Sequence, residues 1–375
     1  MSEILMVLGT DKCLLKRACE LGFDVHVFGL KPPTMQEYLG KRIIFHKQDI
    51  LDYDSLWKSC KELRPKGVVS VSSELAMHPM HYLLRKIGIP CNSLWTEQTS
   101  TNKYLMRKAM NEAGLDSPKF ALITELTTKK EIEKLISNFE FPLIIKPVDM
   151  SASRGVMKID RIKDLQEALS YSLKWSKNKQ CILEECVSGP EYSGECIAYN
   201  GKYSLLAITE KTTTGSPHFI EKSHHQPASL THEMELKVKE TLFRAFKSLK
   251  IEYGAIHPEF RITKDGRILF MEIATRMGGG HIGTELTPLS SGYDFLGMVI
   301  DICCGKEPVI RKGHATQIAE VHYVLSKDDV DKFHRIKNDK SYNIVYAYKS
   351  ENIPPVEVLN NIDRLGYYIV TKKIK

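Results

Sequence analysis

The sequence predicts an α/β fold in three parts: a parallel-sheet unit over residues 1–95, a mixed α+β unit over 96–305 and a small α+β segment over 306–375. Three observations predict it. Residues 1–95 alternate short apolar runs with amphipathic stretches, the rhythm of βαβ units. Residues 115–185 alternate strands and helices in shorter units, the pattern of a lid-like subdomain. Residues 257–272 read as a β-hairpin that carries two glutamates.

Ile4–Leu8 is wholly apolar, too short for a signal peptide, and reads as a buried strand. Asp11–Leu21 is a helix stopped by Gly22, and Asp24–Phe28 is the next strand. A helix over Asp52–Leu63, a strand over Gly67–Val71 and a helix over Ala76–Ile87 complete the unit. The layout is Rossmann-like, but the first turn, Gly9-Thr10-Asp11-Lys12-Cys13, lacks the Gly-x-Gly-x-x-Gly needed for close pyrophosphate approach. That argues against an oxidoreductase using a dinucleotide. Thr96–Ala113 reads as one helix with Thr96 as N-cap and Gly114 as stop. Strands follow at Lys119–Ile123, Pro142–Lys146, Val156–Ile159 and Cys181–Glu185, with helices over Thr127–Phe139 and Ile162–Leu173. Strands near 191–199 and 203–210, a polar loop over 211–223 and a helix over 230–249 lead into the hairpin. Residues 306–375 read as a separate tail.

Composition narrows the function. The net charge of +7 is mild and the basic residues are dispersed, so a nucleic-acid partner is not expected, whereas anionic small substrates are well suited. Nine cysteines without Cys-x-x-Cys or zinc spacing fit a reducing cytoplasm. The most apolar stretch, 295–304, contains Asp301 and is about half a membrane span, so no membrane partner is expected. A homodimer is among the assemblies the sequence allows.

The hairpin carries the most chemistry. With Asp265-Gly266 as a two-residue type I′ turn, Lys264 faces Arg267, Ile262 faces Leu269, Phe260 faces Met271 and Glu259 faces Glu272. One face is then Phe260, Ile262, Leu269, Met271 and Ile273; the other holds His257, Glu259 and Glu272, with Arg276 in step. Carboxylates directly opposite in a ladder sit about 5 Å apart and repel. A shared divalent cation removes the repulsion, and Mg²⁺ is typically held by one or two carboxylates plus substrate phosphates. The alternative is a solvated hairpin face.

Other segments point the same way. Phe141–Pro147 is an apolar strand ending in Lys146, whose ammonium needs a partner or a route to solvent. The loop behind it holds Ser151, Ser153, Arg154, Gly155 and Val156, small enough for backbone N–H groups to approach phosphate oxygens. Glu184, Glu185, Val187 and Glu191 surround a Gly189-Pro190 turn and could line an adenosine pocket; as a segment alone they also read as surface acids. Arg276 and the turn Gly278-Gly279-Gly280-His281 could hold an anionic substrate. Glu74 lies beyond the strand 67–71, at the edge where open α/β sheets bind ligands. His224, His225 and His257 read singly as solvated or structural.

Taken in order, these segments resemble the ATP-grasp superfamily, in particular its carboxylate–amine ligases near the dipeptide ligases and the carbamoyl-phosphate-synthase-like proteins. The resemblance spans residues 1–305 and rests on Thr101-Asn102-Lys103, Phe141–Pro147 with its loop, Glu184–Glu191, Glu221–Ala228 and the hairpin. It implies a Rossmann-like pre-ATP-grasp domain, an ATP-grasp domain with a lid, and ATP with Mg²⁺ (or Mn²⁺). Lys103, Lys146 and the loop through Ser151, Ser153, Gly155 and Val156 would contact phosphates. Glu184, Glu185 and Val187 would meet adenine, and Glu191 the ribose. Glu259 and Glu272 would bind metal. Arg276 would stabilise the transferring phosphoryl group, while Glu74, His224, Gly279, Gly280 and His281 would face a small carboxylate and an amine, expected to be amino acids. The implied reaction activates the carboxylate as an acyl phosphate. One departure is Ala274, where the family commonly has an asparagine. A regulatory protein that binds ATP without turnover is the alternative.

Overall fold

Apolar runs rich in Val, Leu and Ile build the first sheet. Strands β1 (Ile4–Leu8), β2 (Asp24–Gly29), β3 (Ile43–Lys47) and β4 (Gly67–Val69) are parallel, in the order β3-β2-β1-β4. Helices α1 (Lys12–Glu20), α2 (Tyr53–Leu63) and α3 (Glu74–Lys86) accompany them. The structure is a computed structural model and describes residues 2–34, 42–151, 153–216, 219–310, 317–348, 358 and 360–373. The strand β3 is absent from the sequence reading because it is a half-exposed edge whose side chains give no clean apolar run. Glu74 proves to be the first residue of α3, capped by Ser73, rather than a strand end.

The expected helix over 96–113 is two helices. α4 (Leu94–Thr101) starts at the N-cap Ser93, and α5 (Lys103–Glu112) starts afresh after Asn102. Asn102 is extended, at φ −120° and ψ 107°, and its Oδ1 accepts from the N–H groups of Tyr104 (3.0 Å) and Leu105 (3.1 Å). An Asn side chain that satisfies orphan N–H groups competes with helix continuation and favours a cap. The break puts Lys103 at the first position of α5.

The lid is an antiparallel sheet of β5 (Phe120–Thr124), β6 (Leu143–Pro147), β7 (Met157–Ile159) and β8 (Gln180–Glu185), in the order β5-β8-β6-β7. Helices α6 (Lys129–Leu135) and α7 (Leu165–Trp175) join its core of Ile123, Ile132, Leu143, Ile145 and Leu183. The third sheet is antiparallel and largest. It contains β9 (Glu191–Tyr199), β10 (Lys202–Thr213), β11 (Glu221–Gln226), β12 (Gly254–Ile262), β13 (Ile268–Ala274), β14 (Gln317–Val324), β15 (Tyr342–Tyr346) and β16 (Gly366–Lys373). Their order is β13-β12-β9-β10-β11-β14-β16-β15. Helix α8 (His232–Ser248) packs Val238, Leu242 and Phe246 against Ile256, Phe260 and Phe270. The remaining helices are α9 (Thr287–Ser291), α10 (Phe295–Cys303) and α11 (Lys327–Asn338). α10 joins the core of the first sheet through Phe295, Met298 and Val299.

Two expectations change here. The segment from 306, expected as a separate tail, enters the large sheet where β14 pairs with β11. The expected polar loop over 211–223 is shorter: β10 runs on to Thr213, and β11 begins at Glu221.

The hairpin register also differs. Thr263 donates its N–H to Arg267 O (3.0 Å) and Gly266 donates to Thr263 O (2.9 Å), with Gly266 at φ +75°. This is a three-residue loop with glycine in the left-handed position, not a two-residue type I′ turn. Phe260 therefore faces Phe270 and Ile262 faces Ile268, one residue off the expected register. A bulge at Met271 then restores the pairing of Glu259 with Glu272. Phe260, Ile262, Ile268, Phe270 and Ile273 form the buried face, while Met271, expected there, turns to the cavity described below.

Asn102→Ala removes the cap that starts α5 and is expected to lower unfolding stability by about 1 kcal/mol, whereas Asn102→Gly costs only a few tenths. Denaturant midpoints of the two variants check this ranking.

Candidate functional site

The lid sheet, the large sheet and the start of α5 enclose a cavity of about 350 Å³. Lys103, Lys146, Ser151, Ser153, Val156, Glu184, Glu185, Val187, Glu191, Glu259, Glu272, Arg276, Gly279 and Gly280 all line it. The structure thus brings together segments that span residues 103–280.

Each acid of the hairpin pair has a buried lysine as counter-ion. Lys103 Nζ lies 3.0 Å from Glu272 Oε2 and donates to Met150 O at 2.6 Å. Lys211 Nζ lies 2.6 Å from Glu259 Oε1, 2.9 Å from Glu221 and 3.6 Å from Glu191. Burial works against the Lys211 charge, but Glu221, Glu259 and Glu191 outweigh it and hold its pKa well above the ordinary value. Burial likewise opposes ionisation of Glu259, yet Lys211 and His257 keep its carboxyl well below the usual range.

His257 was read as solvated or structural; it is buried between two acids. Its Nδ1 is 2.5 Å from Glu195 Oε1 and its Nε2 3.3 Å from Glu259 Oε1. Burial alone would lower its pKa; Glu195 and Glu259 reverse this and raise it to about 9. Glu195 also accepts from the Gly278 N–H at 3.0 Å, which fixes the glycine turn.

On the lid side, Glu184 is held by Lys146 (2.7 Å) and by Arg107 (2.6 Å). The side chain of Glu185 turns away, accepting from the Glu140 N–H at 2.9 Å and meeting Lys119 at 3.2 Å. Arg261 ties Glu191 (2.9 Å) to the Val187 carbonyl (3.1 Å), so these two are set by one guanidinium. Gly155 does not line the cavity. It sits at φ +74°, and a Cβ there would come within 2.7 Å of Pro147 and 2.9 Å of Trp175. Its role is to let the loop 153–156 pack down.

Three other expected residues are not among those that line the cavity. His224 is fully buried, edge-on to Tyr323 and 3.5 Å from Glu221. His281 pairs with Glu285 at 2.9 Å and stacks on Tyr367. Glu74 is half-buried, and burial together with nearby Glu272 raises its pKa. Arg276, in contrast, lines the cavity with its Nε buried and unpaired among the described residues.

The sequence reading missed Lys211, Glu195, Arg261 and Arg107, and also Arg364 and Asn361, which line the cavity from the C-terminal segment. Arg364 pairs with Glu221 at 3.1 Å and lies over the Tyr323 ring at 3.6 Å. For Lys211 the alternation of β10 gave no signal, because the buried Leu206 and Ile208 are in step with Glu210 and not with Lys211. For Arg364 there was none, because its partners are more than forty residues away.

Among the described residues no group of three or more His, Cys, Asp or Glu could hold a metal ion by itself. The facing Glu259 and Glu272 supply two oxygen donors, which fits a hard cation completed by ligand phosphates rather than a protein-only cage. Ala274, directly opposite His257, is buried and adds no oxygen.

Comparison with known proteins bears on the domain and the fold. Residues 139–285 match the ATP-grasp domain family. A protein of Sinorhizobium fredii, y4rH, is 23% identical over 350 residues, covering 90% of this chain and 71% of that protein. The alanine–anticapsin ligase of Bacillus subtilis is 26% identical over 281 residues, covering 68% of this chain. The matched region spans 58% of that ligase's length. The crystal structure of the L-amino acid ligase from Bacillus licheniformis superposes with a TM-score of 0.77 at 20% identity, covering 100% of this chain and 94% of that one. Residues 139–285 are thus similar to the ATP-grasp domain, and the chain shares its fold with the L-amino acid ligase.

Proposed function

We propose that this protein is an ATP-dependent carboxylate–amine ligase that acts on amino acids and releases ADP and phosphate. The observation that carries the reading is the pair Glu259 and Glu272, face to face in one cavity, each with a buried lysine counter-ion. The relatives named above add the substrate class: alanine–anticapsin ligase and L-amino acid ligase join amino acids by name.

In this reading a substrate carboxylate oxygen attacks the γ-phosphorus of ATP, and the bond from phosphorus to the ADP oxygen breaks. The amine of a second substrate then attacks the acyl phosphate carbonyl, phosphate leaves, and the amine loses a proton. Glu259 and Glu272 would hold Mg²⁺, which would supply positive charge against the phosphates. Lys103 and Lys146 bind phosphate oxygens, and Lys211, released from Glu259, faces the same charge. Arg276, which lines the cavity, would stabilise the transferring group. The backbone of Glu185 and Val187 meets adenine, and Glu191 meets ribose. The loop through Ser151, Ser153 and Val156 closes over the phosphates and excludes water from the acyl phosphate. Among the described residues no helix is long and apolar enough to cross a membrane. The free cysteines and the nucleotide substrate suit a cytoplasmic setting.

The direct test is phosphate release with ATP, Mg²⁺ and amino acids offered singly and in pairs. Release that requires an amino acid pair is expected; ATP binding with no release for any pair would replace the ligase reading with a regulatory one. Glu272→Ala is expected to cut ADP release by on the order of 10²–10³-fold with the fold intact. Normal turnover in that variant would remove Glu272 from the metal site.

The His257 pKa yields a stability prediction. It is raised from 6.5 to about 9 in the folded protein, so its contribution is fully present below about pH 6.5 and is lost as pH rises through about 9. The melting temperature should therefore fall between those values, and His257→Gln should flatten that decline. An unchanged pH profile in the variant would contradict the assignment.

A further inference from the structure

Lys146 and Glu184 line the cavity, whereas Arg107, the second cation on Glu184, does not. Arg107 reaches Glu184 from α5, with its side chain essentially sealed from solvent. Its Nε donates to Glu184 Oε1 at 2.6 Å, while Lys146 takes Oε2 at 2.7 Å. One buried carboxylate thus has two cations, one per oxygen. The Nη1 and Nη2 of Arg107 are buried and find no hydrogen-bond partner among the described residues, so no other acceptor draws the guanidinium away. A cluster with two positive charges and one negative is costly to bury unless the surplus is used.

Nucleotide binding, on the reading above, moves Lys146 from Glu184 to a phosphate. With Lys146 alone on Glu184, that transfer would strand a buried carboxylate, and the loss would offset the new contact. We propose that Arg107 is a positioning residue: the permanent counter-ion of Glu184, which keeps it ionised and aimed while Lys146 transfers to the nucleotide. The inference rests on the nucleotide role of Lys146 and Glu184 and not on ligation as such. The depressed pKa of Glu184, at about 2 against the pull of burial, is consistent with two cations acting on it.

A proton balance distinguishes this from a packing role. In the wild type, Glu184 stays ionised before and after binding. In Arg107→Met, transfer of Lys146 leaves Glu184 unpaired in a low-dielectric site, its pKa rises, and the complex takes up a proton. Calorimetric titration with Mg²⁺–ADP in buffers of different ionisation enthalpy measures this. Arg107→Met is expected to weaken Mg²⁺–ADP binding by roughly 10- to 100-fold, the range for loss of a residue that orients a ligating group. It should also take up more protons on binding than the wild type does. Adding Glu184→Gln to Arg107→Met should abolish the extra uptake, and Arg107→Lys should restore part of the affinity. Weaker binding with an unchanged proton count would reduce Arg107 to a packing residue. If Arg107→Met does not fold, Arg107→Gln takes its place: Mg²⁺–ADP affinity equal to that of the wild type, or extra proton uptake that Glu184→Gln does not abolish, would overturn the proposal. Absence of Mg²⁺–ADP binding by the wild type would instead overturn the nucleotide reading beneath it.

Discussion

Like charges forced together across a β-ladder impose the constraint on which the rest of this site depends. Glu259 and Glu272 face each other on β12 and β13, in a cavity rather than at an open surface. Two carboxylates in that setting need cations, and the chain brings them from different elements: Lys211 from β10 and Lys103 from the first turn of α5. The second lysine is there only because Asn102 interrupts what would otherwise be one helix. Its backbone N–H is tied to Val148 O at 2.9 Å and its ammonium to Met150 O, just beyond the lid strand β6. The acid pair therefore couples the large sheet, the helix start and the root of the lid.

Much of this arrangement was legible in the sequence, for physical reasons. A run such as Ile4–Leu8 or Leu143–Ile145 has few ways to be satisfied except as a buried strand, and the structure agrees. The pairing of Glu259 with Glu272 was legible too, although the route to it was wrong. The true turn is one residue longer than a type I′ turn, and the bulge at Met271 cancels the slip before the acids are reached. Only the side chains between the two irregularities changed face, and so Met271 lines the cavity instead of the core. What remained hidden depends on contacts between distant segments. Nothing local marks Arg107, Glu195 or Arg364 as belonging to one site; each is specified by a partner 77, 62 or 143 residues away. His257 fits the structural half of its reading and not the solvated half, because Glu195, 62 residues away, meets it in the interior.

The lysines that face the cavity are held in ion pairs with its acids. Lys103 holds Glu272, Lys211 holds Glu259, and Lys146 holds Glu184. Ligand binding at such a site exchanges ion pairs instead of creating them. The desolvation cost of each lysine is met during folding, so a polyphosphate does not bear it again. Binding energy is then set by the difference between a carboxylate and a phosphate as partner, and by what becomes of the carboxylate that is left. A divalent cation answers that question for Glu259 and Glu272. For Glu184, which lies away from them on the lid strand β8, only a second fixed cation can.

The same reasoning bears on Ala274. An amide oxygen at that position would add a neutral donor to the site and help to hold a further cation. Instead the position opposite it in the ladder is His257, an imidazolium below about pH 9 that lies 3.3 Å from Glu259. A positive charge beside one metal carboxylate and a methyl group in place of an amide both work in one direction. They lower the negative potential available to cations at this end of the cavity. On the proposed function, one divalent ion shared between Glu259, Glu272 and the phosphates would suit the charges that the chain presents. A second would have to be held mainly by the nucleotide.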